Sequence, residues 1–282
     1  MITKPFQSIK FSFIVLLFLI ILSSCRSRRY MYNVSAPNNP YFQKKGDSKL
    51  SVEGDVFFTY SGSSFGGSLQ GAYAFSNHFA GAYSLDLWKD NYKYTEYKYD
   101  FVNVGEPFIR YTSIDYNRNF NEFALGYFVA LNSKKTNYFN IYCGYGVGSM
   151  NFKQTGSDTS KNLYYRYFQT NLNKVFIQPS FNFQVFKGGK ISFISKFTWL
   201  NFNQTSSDYT EVEKGYYFLN LNNKNLYIGV EPTMLVSVGD ENFQFIGSLS
   251  FNSLAPKPGF VATPWCISGG VSMDIIHLLK RK

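Results

Sequence analysis

Phe65-Gly66-Gly67-Ser68-Leu69-Gln70-Gly71-Ala72-Tyr73-Ala74-Phe75 alternates between two kinds of side chain. Phe65, Leu69, Tyr73 and Phe75 share one parity with Gly67 and Gly71, whereas Gly66, Ser68, Gln70, Ala72 and Ala74 share the other. Successive side chains of an extended chain point to opposite faces, so a period of two marks a strand with one bulky apolar face. The same signal continues outward from this stretch. Phe79, Gly81, Tyr83, Leu85 and Leu87 oppose Ala80, Ala82, Ser84 and Asp86, and Phe123 to Leu131 and Phe139 to Val147 repeat the pattern. It recurs at Phe243, Phe245, Leu249 and Phe251, and again from Trp265 to Ile275. No stretch of comparable length carries a helical stripe. The fold class is all-β.

Strands are expected at 50–60, 65–75, 79–88, 120–131, 138–152, 166–186, 190–202, 224–238, 242–252 and 265–278, about ten in all, with eight as the alternative. Short connections at 76–78, 132–137, 187–190 and 239–241 alternate with long polar ones at 89–119, 153–165, 203–223 and 254–264. Short turns at one end and long loops at the other are the pattern of membrane barrels, with the short turns periplasmic. The connection at 61–64 is short on the long-loop side. Pro179 and Pro232 fall inside strands and are expected to mark two matched bulges, since proline cannot donate to a ladder.

Volume decides which face is which. Roughly five large apolar side chains per strand would total on the order of 50, more than the narrow interior of a ten-stranded barrel holds. The small face (Gly66, Ser68, Ala72, Ala74, Ala80, Gly144, Gly146, Gly148, Ser248, Ser268, Gly270) fits that interior. We therefore expect an antiparallel up-and-down transmembrane β-barrel; the competing architecture is a soluble two-sheet sandwich that buries the bulky face. On the interior parity, Glu53, Asp55, Asp86, Glu122, Arg166, Lys196, Glu231 and Asp274 form a candidate lumen-facing polar network, with Gln178 and Asn182 beside them. Lys196 is the one clear cation expected within a strand. Aromatics near strand ends (Tyr60, Phe75, Trp88, Trp199, Trp265) are candidates for interfacial girdles.

The N-terminus addresses the chain to the envelope. Lys4 and Lys10 precede an apolar run, Phe11 to Leu22, of about 12 residues, too short to span roughly 30 Å of hydrocarbon. Leu22-Ser23-Ser24-Cys25 closes it as a small-residue cleavage site. It resembles the lipobox of bacterial lipoproteins, which implies that Cys25 carries acyl chains such as palmitate. We expect a signal peptide at 1–24, a lipidated tether at 25–48 and the barrel at 49–282. An even strand count brings both ends of the barrel to the short-turn side, so the N-terminus is expected on the periplasmic face of the outer membrane. The net charge of +10 falls by two when Lys4 and Lys10 are removed. The basic excess clusters at Arg26, Arg28 and Arg29 and at Lys280 to Lys282, beside anionic headgroups if both termini lie near one membrane face.

Catalytic chemistry finds little to stand on. A serine nucleophile needs a histidine base within reach, itself oriented by a third group. His78 falls in a tight turn, and His277 lies on the lipid-facing parity with no serine on its face two residues away. No metal, cofactor or nucleic-acid partner is expected, and the chain is read as not an enzyme. Cys143 and Cys266 fall on opposite faces and are expected as free thiols. Gly144-Tyr145-Gly146-Val147-Gly148 lacks the lysine and the following helix of a phosphate loop, so steric relief inside the barrel accounts for it better.

Tyr32-Asn33-Val34-Ser35-Ala36-Pro37, Phe42-Gln43-Lys44-Lys45-Gly46-Asp47 and Leu69 to Ala74 resemble segments of outer-membrane β-barrel lipoproteins of Bacteroidota. Phe176-Ile177-Gln178-Pro179-Ser180 and Glu231-Pro232-Thr233 are similar to the same group. The resemblance implies a lipid-anchored outer-membrane barrel and supplies no functional residues. The expected role is non-enzymatic, structural or in surface interaction, with lipids as partners through Cys25 and the wall, and extracellular contacts through 89–119. A narrow, cation-favouring pore is the second expectation, and a periplasmic β-sandwich lipoprotein that binds a ligand or partner the third.

Overall fold

The structure is a computed structural model that describes residues 32, 34–59, 62–98, 108–157, 163–209, 214, 226–240, 242–252 and 265–276. Cys25 and both terminal basic clusters lie outside the described residues, as do Tyr60 and His277. Ten strands follow in chain order: β1 (Ser48–Thr59), β2 (Gly62–Ala74), β3 (Phe79–Lys98), β4 (Phe108–Ala130), β5 (Asn137–Ser157), β6 (Leu163–Phe186), β7 (Gly189–Ser207), β8 (Leu226–Gly239), β9 (Phe243–Phe251) and β10 (Trp265–Met273). Each pairs antiparallel with its sequence neighbour, and β1 pairs with β10 from Leu50↔Met273 to Val56↔Ile267, which closes the barrel. Closure replaces the two-sheet sandwich. It also removes the sheet edges that would otherwise expose unpaired backbone.

The short turns lie where expected. Between β6 and β7, Lys187-Gly188 turns the chain, with Gly188 at φ +84° and its carbonyl accepting the Gly239 N–H at 2.9 Å. The long connections are a correction. Most of 89–119 is strand: β3 and β4 stay in register out to Lys98↔Phe108. Likewise β5 and β6 pair out to Ser157↔Leu163, within the expected 153–165 loop, and β7 extends to Ser207, inside 203–223. Outward Lys89, Asn91 and Lys153 are polar, so these strands carry no apolar face for an apolar-against-small alternation to reveal. The two bulges are also corrected. Pairing passes Pro179 without a shift, from Ile177↔Phe197 to Ser180↔Ile194, and the register shifts fall at Gln169/Asn171 and Gln184/Phe186. Pro232 stands just beyond the last β8–β9 pair, Thr233↔Ser250, where a missing N–H costs that ladder nothing.

The bulky face points outward. Phe79 and Leu87, Phe123 and Leu125, Tyr145 and Val147, and Phe193 and Phe197 are all exposed, Leu125 at 68%. An apolar surface of this extent is untenable in water and suits hydrocarbon. On β3 the band runs from Phe79 to Leu87, close to the 9–11 residues that a tilted membrane strand needs. Above it the outer face becomes polar at one level. Cross-strand pairs align Asn117 with Asn151, Asn151 with Gln169, Asn171 with Asn203 and Asn173 with Asn201. This amide collar marks the edge of the hydrocarbon. The chain is a membrane-spanning barrel whose strands β3 to β7, of 19 to 24 residues, continue past the collar as a tall wall. Among the described residues β8, β9, β10, β1 and β2 are shorter, of 9 to 14 residues.

Small inward residues make room for large ones paired with them on the neighbouring strand. A Cβ on Gly148 would lie 2.2 Å from the Asn119 carbonyl oxygen and 2.4 Å from the Phe120 ring, so the glycine run is steric relief. Trp88 is a correction: it points inward over Gly66 and is buried, whereas Trp199 and Trp265 keep the outward parity. Cys143 is outward and Cys266 buried inside, both free.

Candidate functional site

The lumen is filled by the chain's own N-terminal segment. The described part of the expected tether does not hang below the barrel but runs inside it. Val34, Ser35, Ala36, Asn39 and Phe42 are buried there. Asn38 donates to the Gly71 and Tyr83 carbonyls at 3.1 and 3.0 Å, and Gln178 donates to the Asn38 carbonyl at 2.9 Å. Asn39 bridges two strand residues: its amide donates to Asn182 at 2.8 Å, and its oxygen accepts from Ser180 at 2.8 Å. Gln70 and Asn140 donate to the Ala36 and Pro40 carbonyls, at 2.9 and 3.1 Å. An irregular segment buries backbone groups that no ladder satisfies, and these wall amides supply the partners. Phe42 seals the short-turn end among Ala74, Ala80, Phe128 and Tyr142.

A charged relay lies deeper. Glu122 sits between Lys174 and Lys196, with Lys196 Nζ 2.5 Å from its carboxylate. Lys174 donates to the Tyr32 hydroxyl at 3.0 Å, and Tyr32 donates to Glu231 at 2.9 Å. Glu231 stands in register with Lys196 across β7 and β8. All five side chains are buried, so each charge is compensated by an opposite one rather than by bulk water. Arg118 donates to the Ser35 hydroxyl at 2.9 Å and packs 5.6 Å from both the Tyr32 and Trp88 rings.

Of the network expected from sequence, Glu53, Asp55, Asp86, Glu122, Lys196 and Glu231 are buried in the lumen. Two stand apart from it. Arg166 lies high on β6, half-buried, and donates to the Tyr165 carbonyl at 3.2 Å. Asp274 follows β10 at the short-turn mouth and accepts from Ser48 Oγ at 2.8 Å. Lys196 is not the sole cation: Lys174 and Arg118 join it, so among the described buried side chains three cations face the five carboxylates Glu53, Asp55, Asp86, Glu122 and Glu231. Lys174 shares parity with Gln178 and Asn182 and was legible on that ground. Arg118 was hidden by the loop assignment, and Tyr32 by the tether.

At the mouth, Tyr41 contacts the Lys135 and Thr136 carbonyls at 3.4 Å, and Lys190 packs 3.9 Å from its ring centroid. Burial, and then the neighbouring Tyr138, push the Tyr41 phenol above its usual range, so it stays protonated. His78 lies at the β2–β3 turn, stacked on Tyr127 at 5.7 Å. Among the described residues no three acidic, cysteine or histidine side chains group as metal ligands.

No family model matches the chain, and no curated protein matches it. Its likeness is to solved barrels. An outer membrane channel from Pseudomonas putida aligns over 85% of this chain and 99% of its own, with 11% identity and a TM-score of 0.39. A major outer membrane protein from Thermus thermophilus covers 80% of this chain and 98% of its own, at 10% identity and TM-score 0.30. A loop-deletion mutant of the outer membrane protein OmpT of Vibrio cholerae covers 82% and 99%, at 7% and 0.27.

Proposed function

We propose that the protein is an outer-membrane barrel lipoprotein with a closed lumen, whose role is structural or lies in contacts at the cell surface. The observation that carries this is the burial of Val34, Ser35, Ala36 and Asn39 inside the barrel, where a pore would need open space. The apolar band supports membrane insertion, and the lipobox-like Leu22 to Cys25 supports export and lipidation at Cys25. Surface contact is supported by the tall wall formed from β3 to β7. Its rim occupies the place expected for a loop at 89–119 and carries outward Lys89, Asn91, Lys93, Asp115 and Lys153. The reading assigns the chain no catalytic step.

Planar-bilayer recording tests it. The intact protein is expected to be silent, and a variant lacking residues 30–45 to conduct, with both showing heat-modifiable gel migration as folded barrels. Steady conductance by the intact protein would overturn the closed lumen, as would a silent but folded deletion variant.

A further inference from the structure

The outer surface carries a groove where the apolar band of β3 gives way to amides. It is a cavity of about 450 Å³, lined from outside by Phe65, Leu87, Lys89, Asn117, Asn119 and Asn151. Two cross-strand rows of outward side chains lead on from it round the wall. One runs Lys89, Asn117, Asn151 and Gln169, and the other Asn119, Ser149, Asn171 and Asn203. Lys89 is the one charge in either row. Asparagine is disfavoured in strands, so its concentration on adjacent strands calls for a cause. A wall built to meet phosphate headgroups alone would carry lysine and arginine. A carboxamide donates and accepts at once, as does each hydroxyl of a sugar. Asn119 is already held for this purpose, its oxygen accepting from the Ser149 N–H and hydroxyl at 3.1 and 2.9 Å. Tyr165 and Tyr167, exposed above Gln169 on β6, add aromatic faces on which a sugar ring can pack.

On its other side the groove runs into a trench. Leu87 pairs with Gly67, Gly67 with Gly54, Gly54 with Gly269 and Gly269 with Gly247, so outward glycines cross β2, β1, β10 and β9 in one row. A Cβ added at any of the four would come no nearer than 3.4 Å to another atom. Exposed Val52, Leu69 and Phe245 line one side of the trench, and Phe65 and Ile267 the other. The row descends as it leaves the groove. Leu87 stands eight residues from Phe79, the short-turn end of β3, whereas Gly247 stands four from Phe243, that of β9. Amides at the collar suit any glycan, but a trench sunk into the hydrocarbon suits one joined to an acyl chain.

We propose that the groove binds a glycolipid of the surface leaflet, with its sugars along the amide rows, a phosphate on them at Lys89 and an acyl chain in the glycine trench. This rests on the membrane-barrel reading, which puts the tall wall outside the cell.

The folded protein in non-ionic detergent is titrated with fluorescently labelled rough lipopolysaccharide, which carries core sugars on lipid A. The core oligosaccharide freed of its acyl chains and phosphatidylglycerol are the comparison probes. The intact protein is expected to bind the lipopolysaccharide and to bind both comparison probes far more weakly. Replacing Asn117, Asn151 and Asn171 together by valine should weaken binding about tenfold or more, because several hydrogen bonds are lost. Gly54→Leu, remote from the sugars, should weaken it as well by filling the trench. Equal binding of the free oligosaccharide would mean a soluble glycan, and equal binding of phosphatidylglycerol an unselective lipid wall. Unchanged binding by the triple valine variant would leave the amides a solvated collar, and unchanged binding by Gly54→Leu an empty trench. Each of these results overturns the proposal. Two controls separate its failure from that of the membrane-barrel reading. Every variant is expected to show heat-modifiable migration, and Lys153→Cys in a Cys143→Ser background to label on intact cells with a membrane-impermeant maleimide. Absence of heat-modifiable migration, or labelling only after permeabilisation, would defeat that reading and the glycolipid site with it.

Discussion

Glu122 holds the luminal charges together, because its one carboxylate serves both Lys174 and Lys196. Removing one partner of a buried pair leaves an uncompensated charge, at a cost of about 3–5 kcal/mol. Glu122→Gln is therefore expected to lower the temperature at which the unboiled protein loses its heat-modifiable form. Lys174→Met in that variant should recover part of the loss by removing a stranded cation, whereas an unchanged transition in Glu122→Gln would mean that the lumen is wet enough to screen these charges. Asn39 matters at the same scale for a different reason. It is neutral and can donate and accept at once, so it fixes the segment to both Asn182 and Ser180.

Among elements, the β4–β5 pair depends most on glycine. Gly148 faces inward beneath Phe120 and against the Asn119 carbonyl, with no space for a side chain. Gly148→Val is expected to destabilise the barrel by at least the about 1–3 kcal/mol typical of overpacking, since backbone rather than a flexible side chain must move. Urea unfolding in micelles reads this directly, and an unchanged midpoint would mean that β4 and β5 sit farther apart. Gly71 is the control. It faces lipid with nothing within 4 Å of an added Cβ, so Gly71→Ala should be nearly neutral. Element lengths carry information of their own. The polar upper halves of β3 to β7 remain paired although nothing apolar covers their outer face, because Ile114, Phe152, Phe168 and Phe202 bury their inner one.

At the scale of the molecule the barrel is uneven. β5 and β6 pair from Asn137↔Phe183 to Ser157↔Leu163, whereas β1 and β10 meet only from Leu50↔Met273 to Val56↔Ile267. Local opening follows the number of ladder bonds and contacts that must be lost. Hydrogen exchange in micelles is therefore expected to be fastest at the β1–β10 and β8–β9 seams and slowest through the membrane-level part of β5 and β6. Uniform protection round the barrel would contradict this.

The all-β class, the order and approximate places of the strands, the outward direction of the bulky face and the inward parity of Glu53, Asp55, Asp86, Glu122, Lys196 and Glu231 were legible in the sequence. Each is a consequence of period-two geometry and side-chain volume, which are local properties of the chain. Strand length above the membrane was not legible, since outward Asn117, Asn151 and Asn171 look like loop residues until their neighbours are known. Nor was the place of residues 34–42, or the meeting of Tyr32 with Lys174 and Glu231. An irregular segment has no period to read. Its position is set by hydrogen-bonding groups that come from several strands far apart in the chain, and only closure of the barrel brings them to one lumen.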